Sequence, residues 1–270
     1  MSLQRSYSSP SDYSYQTYFF GSFRLLREGK AVEKIVWRRN KAKSILKWFL
    51  LNPGHPYSST QLVNLFWQDT DQELALRSLY VTLHYLRHLI EPDLSSHQQS
   101  HYLRRDKNNV YWLERDATWW ADIYELDDWH QSAKRLEHEG QLYQAISYYH
   151  KIINTCGNGF LPEDQYDDAF KPYHQHYDTV YLFALEHLIH LYLQTSMYDE
   201  ALITAHKALH IDPYSETAMC AIAIAYSNTG NVMKAMDRLN GYQRFLEEEA
   251  FIRPSEKFFS LKRQLAQQHE

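Results

Sequence analysis

Apolar residues fall along this chain in blocks with two different rhythms. Between Thr17 and Leu26 the β-prone side chains Tyr18, Phe20, Phe23 and Leu25 predict a strand. Arg27-Glu28-Gly29-Lys30 reads as a turn in which Gly29 can take positive φ, and Ala31 to Trp37 reads as the returning strand. The spacing then becomes helical. Ala42, Ile45, Leu46, Phe49 and Leu50 mark one helix, stopped by Asn52-Pro53-Gly54. A second, capped by Ser58 or Ser59, runs to Phe66. A third starts after a cap at Asp71 and ends near Glu91, before Pro92. Tyr102–Arg105 and Val110–Leu113 flank Asp106-Lys107-Asn108-Asn109 as a hairpin, and Asn tolerates the left-handed backbone such a turn demands. Trp119 to Leu126 reads as the crossing into a second region, helical from Asp127 onward.

That second region repeats itself. Ser196-Met197-Tyr198-Asp199-Glu200-Ala201-Leu202 has the same shape as Gly230-Asn231-Val232-Met233-Lys234-Ala235-Met236, 34 positions later. This is the period of tetratricopeptide repeats. Gly140-Gln141-Leu142-Tyr143-Gln144-Ala145-Ile146 is a third copy. Ala201 follows Ala145 by 56 positions, so 22 residues beyond the period are inserted between them, Gly157 to Pro162 included. Such units stack on their neighbours and leave a concave surface suited to a peptide, a partner or an effector.

A strand pair, three helices and a hairpin make a winged helix. The predicted architecture is therefore an α+β N-terminal winged helix followed by an all-α tetratricopeptide-like helical repeat domain. The expected boundaries are a disordered tail at 1–16, a winged-helix DNA-binding domain at 17–118, and the repeat domain at 119–270.

Charge sharpens this division. The net charge is −5. From Thr17 to Arg115 there are 15 basic and 9 acidic residues, net +6; from Asp116 to Glu270 there are 12 and 23, net −11. Only the first half is suited to a polyanion. Cys156 and Cys220 form no CxxC pair and read as reduced thiols of a cytoplasmic protein. No apolar run approaches the roughly 18 residues that span a bilayer, and the Ser- and Tyr-rich N-terminus lacks the apolar core of an export signal. No membrane partner is expected.

The third helix is amphipathic. Leu76, Leu79, Leu83, Leu86 and Ile90 share one face; Arg77, Ser78, Val81, His84, Tyr85 and His88 share the other, with Arg87 at its flank. The second set mixes donors, aromatic surface and a small apolar group, types that meet base edges, thymine methyls and phosphates in a major groove. Arg104, Arg105 and Lys107 crowd the hairpin and suit a minor groove or a phosphate. Arg38, Arg39, Lys41 and Lys43 lie where the first helix begins and suit the DNA backbone, although cations there oppose the helix dipole.

Arg77-Ser78-Leu79-Tyr80-Val81-Thr82-Leu83-His84-Tyr85-Leu86-Arg87 resembles the recognition helix of SARP-type bacterial transcriptional activators, which join an OmpR/PhoB-like winged helix to a bacterial transcriptional activator domain. Phe20-Gly21-Ser22-Phe23, Arg38-Arg39-Asn40-Lys41-Ala42, Gln61–Trp67, Gly159–Glu163 and Tyr166-Asp167-Asp168 fit the same family, so the likeness spans Tyr18 to Leu265. The resemblance implies binding to direct repeats of double-stranded DNA near promoters, as a homodimer on DNA, and recruitment of RNA polymerase. The polymerase contact would fall between Trp67 and Asp71, through Asp69 and Asp71. The sequence departs from the family at Tyr85, where Arg is usual, and at Asn108-Asn109, where the wing usually has Gly.

Neither a cofactor nor a metal is expected. The histidine pairs His84/His88, His206/His210 and His174/His176 complete no HExxH, and the chain has no phosphate-binding glycine loop and no GxSxG. The chain is not expected to be an enzyme. Two readings stand: a sequence-specific transcription regulator, or an interaction adaptor whose winged helix no longer binds DNA and whose repeat groove holds a partner or effector.

Overall fold

A computed structural model describes residues 9–32, 40–95 and 98–267. Within them the chain forms two compact units. The first takes residues up to Asp122 together with Leu161–Tyr173; the second takes Ile123–Phe160 and the chain from His174 onward.

The first unit opens with a sheet in the order β3-β2-β1-β7, from β1 (Tyr15–Tyr18), β2 (Arg24–Arg27), β3 (Lys30–Ala31) and β7 (Trp119–Ala121). One strand was expected from Thr17 to Leu26. The structure instead folds it into antiparallel β1 and β2, with Tyr18 opposite Arg24. Gly21 at φ +80° permits the reversal, while Asp122 accepts the backbone N–H groups of Phe19 and Phe20 at 2.9 and 3.1 Å. Glu28 and Gly29 both have positive φ in the two-residue β2–β3 turn, the backbone of a tight hairpin. Of the expected returning strand, Val32 donates its N–H to Leu25 O at 2.8 Å, and residues 33–37 lie outside the described residues.

Within the expected tail, the described residues 9–16 include regular structure. A 3-10 turn at Pro10–Asp12 leads into β1, and Tyr15 stacks on Trp119 with ring centroids 4.3 Å apart. Trp119–Ala121, read as a crossing, pairs in parallel with β1 before the chain leaves the unit. A strand is favoured here because Trp119, Trp120 and Ala121 are all buried.

Three helices follow: α1 (Asn40–Leu51), α2 (Ser59–Phe66) and α3 (Gln72–Ile90). Their shared core contains Ile45, Leu46, Phe49, Leu62, Phe66, Leu79, Leu83 and Leu86, all essentially inaccessible. Ser58 caps α2 in a reciprocal capping box with Gln61. A second sheet, ordered β4-β6-β5, joins β4 (Tyr57–Ser58) to the hairpin of β5 (Leu103–Arg105) and β6 (Val110–Leu113). This is the winged helix expected from the order of elements.

The second unit contains α4 (Asp122–His138, beyond its first residue), α5 (Leu142–Cys156), α6 (Lys171–Gln194, from His174), α7 (Tyr198–Ile211), α8 (Glu216–Asn228), α9 (Val232–Arg244) and α10 (Glu256–Gln267). The repeat is visible in its turns. Gly140, Ser196 and Gly230 all adopt left-handed backbone, at φ +75°, +60° and +81°. After each, the next N–H closes the same bond at 2.8 Å: Gln141 to Leu136 O, Met197 to Tyr192 O, Asn231 to Tyr226 O. These are helix C-caps of one kind, used three times. Five residues past each cap, Ala145, Ala201 and Ala235 are fully buried, the small side chains that let paired helices approach. Tyr149, Tyr177 and Tyr192 belong to this core.

The inserted 22 residues carry the segment Leu161–Tyr173, which packs in the first unit. There Leu161 N–H donates to Phe19 O at 2.9 Å, Phe170 is fully buried, and the Tyr173 hydroxyl hydrogen-bonds Asn52 Oδ1 at 2.7 Å.

Candidate nucleic-acid interface

The core side of α3 is set by Ala75, Leu79, Thr82, Leu83, Leu86, Leu89 and Ile90, all buried. Its ends are anchored. At the N-terminus Asp71 Oδ1 accepts the N–H groups of Glu73 and Leu74 at 3.0 and 3.2 Å, satisfying donors the helix leaves open. At the C-terminus the Tyr15 hydroxyl and Arg27 Nη1 each donate, at 2.9 Å, to the carbonyls of Ile90 and Leu89. A helix tied to the sheet at one end and capped at the other presents its opposite face in a fixed orientation.

That face carries Arg77, Tyr80, Val81 and His84, all exposed, with His88 half-buried beside His84 at 4.6 Å between ring centroids. Arg77 forms an exposed ion pair with Glu73 one turn earlier, at 2.5 Å. Ser78 and Tyr85 are half-buried at the edge of the face, and the Tyr85 hydroxyl oxygen is inaccessible and has no hydrogen-bond partner among the described residues.

Arg87 faces the hairpin. Its Nε donates to Leu103 O at 3.3 Å and its guanidinium lies 6.0 Å from the Tyr111 ring centre. Burial, and then the neighbouring Arg105, hold its pKa below the usual arginine value, while Tyr111 opposes the shift. Arg105 approaches the same ring at 5.8 Å and hydrogen-bonds Asn109 Oδ1. Tyr111 is thus bracketed by one cation from α3 and one from the hairpin. Arg104 Nη1 donates to Ser100 O at 3.3 Å, and Lys107 is exposed at the tip. Arg87, Arg104, Arg105 and Lys107 line one shallow cavity of about 640 Å³. The tip needs no glycine: Asn109 takes φ +58°, and Asp106 Oδ1 accepts the N–H groups of Asn108 and Val110 at 2.8 and 2.9 Å.

The cations of α1 are placed differently. Lys41 is exposed, whereas Lys43 pairs with Glu163 Oε1 at 3.0 Å. Lys47, which interrupts the apolar run from Ile45 to Leu51, is 1% exposed and pairs with Glu163 at 3.1 Å and with Asp164. Burial raises the pKa of Glu163, but the Phe23 N–H, Lys47 and Lys43 outweigh it and bring the value down to about 2. Arg38 and Arg39 lie outside the described residues. Asp69 and Asp71 are both exposed, Asp71 while serving as the cap of α3.

Sequence reasoning left Leu74 and Tyr80 off the outward face and left Lys47 without a role. The position of Tyr80, three residues after Arg77, was the signal for the first. A lysine inside an apolar helical run was the signal for the second, because a buried ammonium demands a carboxylate partner. Among the described residues no cluster of three or more His, Cys, Asp or Glu could hold a metal ion, and no helix is long and apolar enough to cross a membrane.

The sequence profile of the bacterial transcriptional activator domain matches residues 121–266. No curated protein sequence matches the chain. A solved structure of Mycobacterium tuberculosis EmbR, in complex with a low-affinity phosphopeptide, is similar at a TM-score of 0.81 and 14% identity, over 94% of this chain and 65% of that one. This chain therefore spans about two thirds of the EmbR chain, and the likeness establishes a shared fold.

Proposed function

The chain belongs to the bacterial transcriptional activator domain family, and from that premise we propose that it is a sequence-specific regulator that binds duplex DNA through its winged helix. One observation carries the reading. The helix that a winged helix inserts into a major groove is held rigidly at both ends and leaves Arg77, Tyr80, Val81 and His84 open to solvent. Arg77 and His84 supply donors to base edges, with Ser78, Tyr85 and His88 at the margins of the footprint. Arg104, Arg105 and Lys107 approach the phosphates, and Arg87 holds the wing against α3. Lys41 adds backbone charge, as do Arg38 and Arg39 in this reading.

By analogy with the family, the protein acts as an activator at direct repeats, as a homodimer on DNA, in the cytoplasm. Asp69 is the better candidate for polymerase contact, since the Asp71 carboxylate is engaged in capping. The repeat unit offers the surface for a peptide or effector.

The test is selection of bound duplexes from a randomised pool by the full chain, with affinity measured at two salt concentrations. Enrichment of a direct repeat, with affinity falling steeply as salt rises, supports the reading. Weak retention without enrichment removes it in favour of an adaptor. The ion pairs that occupy Arg77 and Lys43 favour that second reading.

A further inference from the structure

The outward face of α3 is apolar to a degree that a phosphate- and base-binding helix does not require. Among the described residues of the first unit, the large apolar side chains with substantial exposure are Leu74 at 57%, Tyr80 at 40%, Val81 at 47%, and Tyr166. Three of the four sit within two turns of α3. At 100° per residue, Leu74, Arg77, Val81 and His84 lie within a sector of about 80°, with Tyr80 about 40° beyond its His84 side. The donors on this surface are few. Arg77 is already paired with Glu73, and His84 and His88 pack edge to face on each other.

We infer that Leu74, Tyr80 and Val81 determine specificity by packing against the C5-methyl groups of thymine in the operator. The inference rests on the DNA-binding reading and deepens it. The thymine methyl is the one apolar group that an unmodified base pair offers in the major groove. Branched aliphatic chains and a tyrosine edge complement it, whereas the aliphatic chains gain nothing from guanine N7 and O6. Charge argues for DNA rather than a protein as the occupant, because the same unit brings Arg104, Arg105 and Lys107 together on its wing. The recognised half-site is expected to contain thymines at the steps that face the first two turns of α3. Arg77 divides the apolar positions and supplies the direction of reading.

The experiment uses the full chain and the duplex selected from the random pool. Each thymine is replaced singly by deoxyuridine, which removes only the methyl group. Loss of one buried methyl is expected to weaken binding on the order of fourfold at two or three thymines and to leave the others unchanged. Leu74→Ala and Val81→Ala, both at exposed positions, should each abolish the thymine-over-deoxyuridine preference at one site and leave it at the others. Equal binding of all deoxyuridine duplexes overturns methyl reading while leaving sequence-specific binding intact. Variants that bind every duplex more weakly, with the methyl preference unaltered, also overturn it. So do variants that change only the self-association of the chain, an outcome that assigns the face to a second copy. Absence of any selected sequence defeats the DNA-binding reading itself, and this inference with it.

Discussion

The first unit holds two sets of basic side chains that a charge count treats as equal. At α1, Lys43 and Lys47 face Glu163 and Asp164, and Lys47 is closed off from water. At the wing, Arg87, Arg104 and Arg105 engage backbone carbonyls, an asparagine and the Tyr111 ring, none of them an anion, and Lys107 is exposed. Carbonyls and rings orient a guanidinium without neutralising it, whereas a carboxylate at 3 Å cancels its charge toward an approaching phosphate. The net +6 of residues 17–115 therefore overstates the charge available to DNA at α1. At the wing the charge remains available.

The two sets should differ most clearly in their bearing on stability. Glu163→Ala combined with Asp164→Ala leaves the Lys47 ammonium buried without a partner and should cost roughly 3–5 kcal/mol. Six of the seven tryptophans precede Asp122, so a urea titration followed by tryptophan fluorescence reports chiefly on the first unit. An unchanged midpoint would show that Lys47 does not depend on this segment. Arg77→Ala should cost about 1–3 kcal/mol in affinity for the selected duplex. Glu73→Gln, which releases Arg77, should act in the opposite direction. Equal affinity of Arg77→Ala and the native chain would remove Arg77 from base reading.

Smaller effects separate the two sets directly. Asp71→Ala should lower stability by about 1 kcal/mol through loss of the α3 cap, read from the same titration. Lys107→Gln should reduce the slope of log affinity against log salt by about one. Lys43→Gln should leave that slope unchanged, because its charge is already matched by Glu163; an equal reduction in both variants would show that Glu163 does not hold the Lys43 charge. Acid supplies the last test. Glu163 has an ordinary pKa of 4.5 and a folded value of about 2. Its stabilising contribution is therefore complete above about pH 4.5 and lost as pH falls toward 2. The stability difference between the native chain and Glu163→Gln should shrink across that window, and a difference that persists at pH 2 would contradict the assignment.

The helical pattern of 42–50, the Ser58 and Asp71 caps, the stop before Pro92 and the 34-residue spacing were all legible from sequence. Each is a local rule, set by side-chain periodicity or by the hydrogen bonds of a single turn. The repeat unit was especially readable because Gly140, Ser196 and Gly230 perform one task three times. The outward face of α3 was legible in part, since periodicity identified Arg77, Val81 and His84 but placed neither Leu74 nor Tyr80.

Tertiary structure alone decided the rest. The reversal at Gly21 depends on Asp122, about a hundred residues away, accepting two backbone N–H groups. The pairing of Tyr15 with Trp119 placed regular structure within the expected tail. The fate of Lys43 and Lys47 was settled by carboxylates more than a hundred positions later, on a segment inserted into the repeat array. Sequence fixes which side chains carry charge and how they are spaced along an element. Whether a charge faces a carboxylate, a ring or water is set by long-range packing, because Coulomb interactions act over a few ångströms and distant parts of the chain come that close only in the folded state.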